Sequence, residues 1–166
     1  MNPINKNLYR VNVGFLINAP VGEYREITIE NPDFELDEDQ TAENLHIDLK
    51  ISRVQQGILA SADCTADLKM ECVRCLDEFD QKLKSHFDEL FSFHTRENVE
   101  ADQYLPENGY MDLKEIIREY LMLEIPMSPL CKPDCKGLCP VCGANLNKET
   151  CPHTDKNGKL LDNIYE

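Results

Sequence analysis

The sequence predicts an α+β fold: an antiparallel β-meander covered by one main helix and continued by an irregular, cysteine-rich tail. Three observations carry this prediction. Residues 45–93 alternate apolar and polar in three successive runs, an apolar stripe at helical spacing follows between 113 and 121, and seven of the eight cysteines gather at 72–75 and 131–151. The alternation has the period of half-buried strands and the stripe has the period of a helix.

Taken in order, the first 43 residues are the least patterned. Leu8–Ile17 reads as a strand, Ala19-Pro20-Val21-Gly22 as a turn, and Tyr24–Ile29 as a second strand with Tyr24, Ile27 and Ile29 partly buried. The acidic run Asp33–Asp39 reads as a solvated connection, with contact to a basic partner as the second reading.

The middle is more regular. Leu45, Ile47, Leu49 and Ile51 alternate with His46, Asp48, Lys50 and Ser52, and Gln56-Gly57 offers a turn. Ile58, Ala60, Ala62, Cys64, Ala66, Leu68 and Met70 then mark one face of a long antiparallel partner. Phe79, Leu83, Phe87, Phe91 and Phe93 form a third run, for which strand is preferred over helix because polar residues alternate through Lys84 and aromatics suit a sheet. Such a meander has one apolar face that something must cover. The cover is a helix with Asp112 as cap and Glu115 three residues on, carrying Leu113, Ile116, Ile117, Tyr120 and Leu121, and stopped by Pro126. His94–Gly109, polar and acidic, reads as a mobile loop. Residues 1–128 are expected to form the sheet-and-helix domain, with 129–166 as a tail packed on it.

The chain has 166 residues, with 31 acidic and 17 basic side chains and a formal charge of −14. So acidic a surface repels phosphate, which excludes broad electrostatic binding to RNA and leaves a local basic patch or a protein intermediary. No signal-type leader opens the sequence, and no apolar run approaches the length that spans a bilayer. A soluble, cytoplasmic protein is expected.

In a reducing compartment, cysteines in C-x2-C and C-x3-C pairs read as metal ligands and not as a disulfide framework. Cys139-Pro140-Val141-Cys142-Gly143 is the most specific signal, because two thiolates three residues apart grip one tetrahedral ion and glycine permits the tight turn. Cys72-Val73-Arg74-Cys75 repeats the spacing. Cys64 sits alone in an alternating apolar pattern and belongs to the core. The remaining seven cysteines with His153 make eight donors, enough for two closed tetrahedral zinc sites. One partition groups Cys139, Cys142, Cys151 and His153, and separately Cys72, Cys75, Cys131 and Cys135. A second pairs Cys72 and Cys75 with Cys139 and Cys142, and a single zinc with spare thiols is a third; spacing does not choose among them. The tail has little apolar material beyond Leu130, Leu138, Val141 and Leu146, so metal would supply its folding energy.

Closed four-ligand sites leave no position for water or substrate, which argues for structure over metal catalysis. A thiol-redox role is the rival for Cys72 and Cys75, since Arg74 favours a thiolate; that motif, however, expects a helix N-terminus in a βαβ unit. His46, His86 and His94 stand singly at expected surface positions. No phosphate loop, H-E-x-x-H, G-x-S-x-G or dinucleotide fingerprint occurs, so the expectation is a protein that is not an enzyme.

Cys72-Val-Arg-Cys75-Leu after a long alternating strand, followed by Pro129-Leu-Cys131-Lys-Pro-Asp-Cys135-Lys-Gly-Leu-Cys139-Pro-Val-Cys142-Gly-Ala-Asn-Leu-Asn147, resembles the YceD family of bacterial large ribosomal RNA accumulation proteins. The resemblance covers about residues 45–153. It implies a cytoplasmic, non-enzymatic factor for accumulation of large-subunit ribosomal RNA, with a ribosomal precursor particle, ribosomal protein or ribosomal RNA as partner. Family tails often end in Cys-x-Cys where this one has Cys151-Pro-His153; imidazole replaces thiolate at zinc without loss of a ligand. A zinc-ribbon adaptor in transcription and a thiol oxidoreductase are the competing functions. Basic contacts to RNA are expected near Arg74, Lys132, Lys136 and Lys148.

Overall fold

The structure, a computed structural model, describes residues 8–93 and 103–154. Their backbone forms two compact units. Residues up to Leu68 and those of 82–125 make the first, and 69–81 with the residues from Pro126 make the second.

The first unit is built on an antiparallel meander. Strands β2 (Tyr24–Asp37), β3 (Gln40–Val54), β4 (Gly57–Glu71) and β5 (Glu78–Ser92) lie in sequence order, and β6 (Gln103–Tyr104) adds in parallel to the end of β5. Register follows the apolar parity: Ile29 faces Ile47, and Ile47, Leu49 and Ile51 face Cys64, Ala62 and Ala60. A one-residue slip would turn this whole set to solvent, so the pattern that marks the strands also fixes their pairing. The buried face comprises Phe34, Leu36, Leu45, Ile47, Leu49, Ile51, Ile58, Leu83 and Phe87, among others. Burying side chains of this size contributes roughly 1.5–3 kcal/mol each before conformational entropy is subtracted.

The acidic run expected to be a connection is instead the end of β2. Phe34 and Leu36 are buried between the exposed Asp33, Glu35 and Asp37, and only Glu38 and Asp39 remain for the hairpin turn. Two buried apolar positions of the right parity outweigh the charge between them, which stays in water. The strand expected over Leu8–Ile17 divides into β1 (Arg10–Asn12) and a four-residue helix, α1 (Gly14–Ile17). β1 pairs with β7 (Tyr110–Asp112), and the Asn12 side chain accepts the Gly14 N–H, which starts the turn into α1. His94 and most of the segment expected to be a mobile loop lie outside the described residues, while Gln103–Tyr104 of that segment are the short strand β6.

Helix α2 (Lys114–Leu123) buries Ile116, Ile117 and Leu121, and Tyr120 stacks on Phe87 of β5 at 5.1 Å between ring centres. Its N-cap residue is Leu113 rather than the expected Asp112, although the Asp112 carboxylate still accepts the Lys114 N–H at 3.1 Å. No helix among the described residues is long and apolar enough to cross a membrane.

Candidate metal centres

The second unit contains the far ends of β4 and β5, the loop joining them, and the tail. The tail has almost no regular secondary structure: Leu138 and Asn145 form one isolated antiparallel bridge, and Leu146 is one of its few buried aliphatic side chains. Its loops are joined by backbone hydrogen bonds, and its cysteines gather into two groups.

All eight predicted donors converge, in two groups of four. Cys72, Cys75, Cys131 and Cys135 form a strand-end cluster, and Cys139, Cys142, Cys151 and His153 form a tail cluster; in each, the four donor atoms lie within 4.8 Å of one another. This grouping is the first partition given above. In the strand-end cluster the Cys72 and Cys135 sulfurs are 3.7 Å apart and those of Cys75 and Cys131 are 3.6 Å apart. A tetrahedron of metal–sulfur bonds near 2.3 Å has edges of about 3.8 Å, whereas a disulfide needs about 2.05 Å. The spacing therefore suits a shared ion and no disulfide is present. In the tail cluster the Cys139 sulfur lies 4.0 Å from Nδ1 of His153.

The two C-x2-C segments have the same backbone construction. The N–H of Leu76 donates to the Cys72 carbonyl and that of Gly143 to the Cys139 carbonyl; the N–H of Cys72 reaches Asp77 O and that of Cys139 reaches Ala144 O. Each loop thus closes on itself five residues on. The residue after the second cysteine takes positive φ in both, 58° at Leu76 and 74° at Gly143. Such a loop aims N–H groups at sulfur: those of Arg74 and Cys75 at Cys72, and those of Val141 and Cys142 at Cys139.

The electrostatics follow. Burial opposes a charge on Cys72, but the N–H groups of Cys131, Arg74 and Cys75 outweigh it and bring the thiol down to about 6. The Asp77 N–H favours a thiolate at Cys75; burial and the sulfurs of Cys72, Cys131 and Cys135 overcome it and push the thiol up to about 12. In the tail cluster the Cys142 N–H leads in bringing Cys139 down to about 7, while Cys142 itself, despite the Ala144 N–H, is raised by burial and by the neighbouring sulfurs. Each cluster readily forms one thiolate, and that charge resists the next. A divalent cation at the centre removes the conflict, so the donor sets fit a soft divalent ion.

The joining loop and the tail are stitched together on both sides of the strand-end cluster. Val73 N–H donates to Pro129 O, Leu138 N–H to Arg74 O, and the Arg74 guanidinium to Cys135 O, each at 3.0 Å. Phe79, Leu130 and Leu138 pack around the buried Cys72, Cys75 and Cys135. Of the basic residues expected near the metal, Lys148 pairs with Asp77 at 2.7 Å, and Arg74, Lys132 and Lys136 are exposed. His46 and His86 are on the sheet and belong to neither donor group: His86 lies 2.9 Å from Asp63 and 3.4 Å from Asp88, and His46 lies 3.2 Å from Asp48. Sequence reasoning missed Asp77, Asn145 and Asn147, whose side chains bind one another and the Cys135 sulfur. The asparagines stood within the family-like stretch that ends at Asn147, but their spacing gave them no role.

Comparison with known proteins places the chain. A protein of Mycobacterium tuberculosis, described as uncharacterized, is 35% identical over 111 residues, covering 63% of this chain and 53% of the relative. The chloroplastic YCED homolog 1 of Arabidopsis thaliana, named as a large ribosomal RNA subunit accumulation protein, is 46% identical over 65 residues, 37% of this chain and 20% of the relative. The Bacillus subtilis protein YlbN is 30% identical over 71 residues, 42% of this chain and 41% of its own. The chain spans about half the length of the mycobacterial relatives it matches. No solved structure matches. The family model for large ribosomal RNA subunit accumulation protein YceD matches residues 60–162, a stretch that contains both clusters, and the chain belongs to the YceD family.

Proposed function

We propose that this chain is a cytoplasmic, non-enzymatic factor in large-subunit ribosome biogenesis whose tail is held by two structural zinc ions. The observation that carries the metal half is the convergence of eight donors into two four-donor sets, with sulfur spacings of 3.6 and 3.7 Å in one of them. Seven thiolates and one imidazole are soft ligands of the kind zinc takes in closed, tetrahedral sites. Cys72, Cys75, Cys131 and Cys135 would hold one ion; Cys139, Cys142, Cys151 and His153 would hold the other. When bound, zinc supplies charge neutralisation and folding energy and no vacant coordination position.

Family membership and the name of the Arabidopsis relative support the ribosomal half. The partner is a precursor particle, reached through a ribosomal protein or ribosomal RNA. The tail beginning near residue 128 as a metal-held module belongs to the same proposal, with residues 69–81 joining it through Cys72 and Cys75. Elemental analysis of purified protein tests the metal, with two zinc per chain expected. Gradient sedimentation of a cell extract tests the pathway: co-migration with large-subunit precursors is expected, and co-migration with RNA polymerase alone would instead identify a transcription adaptor.

A further inference from the structure

The loop that completes the tail cluster also serves the strand-end cluster. Asn147 lies between Cys142 and Cys151, yet its amide donates to the Cys135 sulfur at 3.3 Å and its carbonyl oxygen accepts the Lys136 N–H at 2.9 Å. Asn145, on the same loop, accepts from the Asn147 backbone and amide at 3.0 and 3.2 Å, and donates to Asp77 at 2.9 Å. Asp77 is two residues beyond Cys75, and its own N–H is directed at the Cys75 sulfur. One segment therefore contacts two of the four strand-end ligands, directly at Cys135 and through Asp77 at Cys75. Three residues, Lys136, Gly137 and Leu138, separate the last ligand of one cluster from the first of the other, and they are pinned at both ends. Leu138 N–H donates to Arg74 O and Leu146 N–H to Gly137 O, each at 3.0 Å.

We propose that Asn147, supported by Asn145 and Asp77, is a positioning residue shared by both clusters, so that metal bound at one tightens metal binding at the other. This rests on the metal reading above. The physical reason is that a metal-held sulfur is fixed in place and an amide donor gains most from a fixed acceptor. Holding Cys135 orders Asn147, Asn147 orders the 143–150 loop, and that loop sets the separation of Cys142 from Cys151 and His153. Coupling between binding sites is reciprocal, so filling the tail cluster also steadies the donor to Cys135.

Cobalt(II) is a suitable probe, because a four-thiolate site and a three-thiolate, one-imidazole site differ in charge-transfer intensity and in ligand-field bands. The metal-free, reduced full chain would be titrated against a competing chelator. In the Cys72→Ser/Cys75→Ser chain, cobalt affinity at the tail cluster is expected to fall about tenfold or more, and Asn147→Ala in the otherwise native chain is expected to weaken both sites by about 10–100-fold, the range seen when partners of metal ligands are removed. Glu149→Ala, on the same loop but exposed, should leave both affinities in place. Asn145→Ala provides a second route to the same result, and far-ultraviolet circular dichroism reports whether each variant keeps its sheet. Weakening confined to the four-thiolate site in Asn147→Ala, or an unchanged tail cluster in the double serine chain, would overturn the coupling while leaving both metal sites standing. Absence of any thiolate–cobalt absorption in the native chain would overturn the metal reading itself, and the coupling with it.

Discussion

Cys64 faces Ile47 across the β3–β4 ladder and is buried in the sheet core, where desolvation, with Asp63 nearby, pushes its thiol up to about 12. The folded value lies above the ordinary 9.0, so the neutral buried thiol contributes stability that is fully present below pH 9 and lost as pH rises through about 12. A thiolate is the reactive form. In metal-stripped protein with its sheet intact, alkylation between pH 7 and 9 is expected to modify Cys72 and Cys139 first, the two thiols brought down to about 6 and about 7, and to spare Cys64, as read by mass spectrometry. Rapid modification of all eight would contradict its burial. The glycines of the tail are a second case. Gly137 and Gly143 share a positive φ, but a methyl group at 137 would meet Arg74 O at 3.0 Å and one at 143 would meet nothing within 4 Å. Gly143→Ala is therefore expected to cost about 1–2 kcal/mol, the left-handed penalty alone, and Gly137→Ala distinctly more because Arg74 O must also move. Thermal melts of the metal-loaded chains would rank them. Leu76 shows that such a position tolerates a side chain, since it takes φ 58° in the companion loop.

At the scale of the elements, β4 and β5 exchange charge across the sheet. His86 on β5 lies between Asp63 on β4 and Asp88 beside it, and its pKa is raised, first by the Asp63 hydrogen bond and further by Asp88. A raised pKa stabilises the fold below the ordinary value of 6.5, and that contribution disappears as pH rises through the raised one. The denaturation midpoint is expected to fall between pH 6 and 8 in the native chain and to be flatter in His86→Gln; equal slopes would remove His86 as the cause. The strands themselves were legible wherever parity and polarity agreed, as at Leu45–Ile51 and Ile58–Met70. They were obscured at Asp33–Asp39, where five charges within seven residues outweighed the two apolar ones that decide the fold. α1 has only four residues, too few to display a helical period. The cysteine pairs declared themselves by spacing, but their partition depends on which loops meet in space, and the supporting asparagines carry no pattern that spacing reveals.

Over the whole molecule, charge is divided unevenly. Segments 1–68 and 82–125 carry 10 basic and 22 acidic residues, whereas 69–81 and 126–166 carry 7 and 9. The repulsion of phosphate is thus concentrated in the sheet unit, and the cysteine-bearing unit has a formal charge of −2 before any thiolate is counted. With zinc in both clusters, as proposed, metal and sheet would divide the stability. Structural zinc sites supply on the order of 10 kcal/mol or more of folding energy, while the sheet has its own apolar core. Chelation of the full chain is expected to remove amide-exchange protection from 126–154 and to leave that of β2, β3 and the buried stretches of β4 and β5. Uniform loss across both units would show that the sheet depends on the ion.

The contact between the Cys72 and Cys135 sulfurs joins positions 63 apart in the chain. During vectorial synthesis, β2 to β5 are complete long before Cys135 has been made. An ion captured early by Cys72 and Cys75 would wait half-coordinated, its remaining valences open to any passing thiol, until the last partners arrive. Ring closure is thus a late event, and a truncated chain ending before residue 131 would expose a reactive two-thiolate hook.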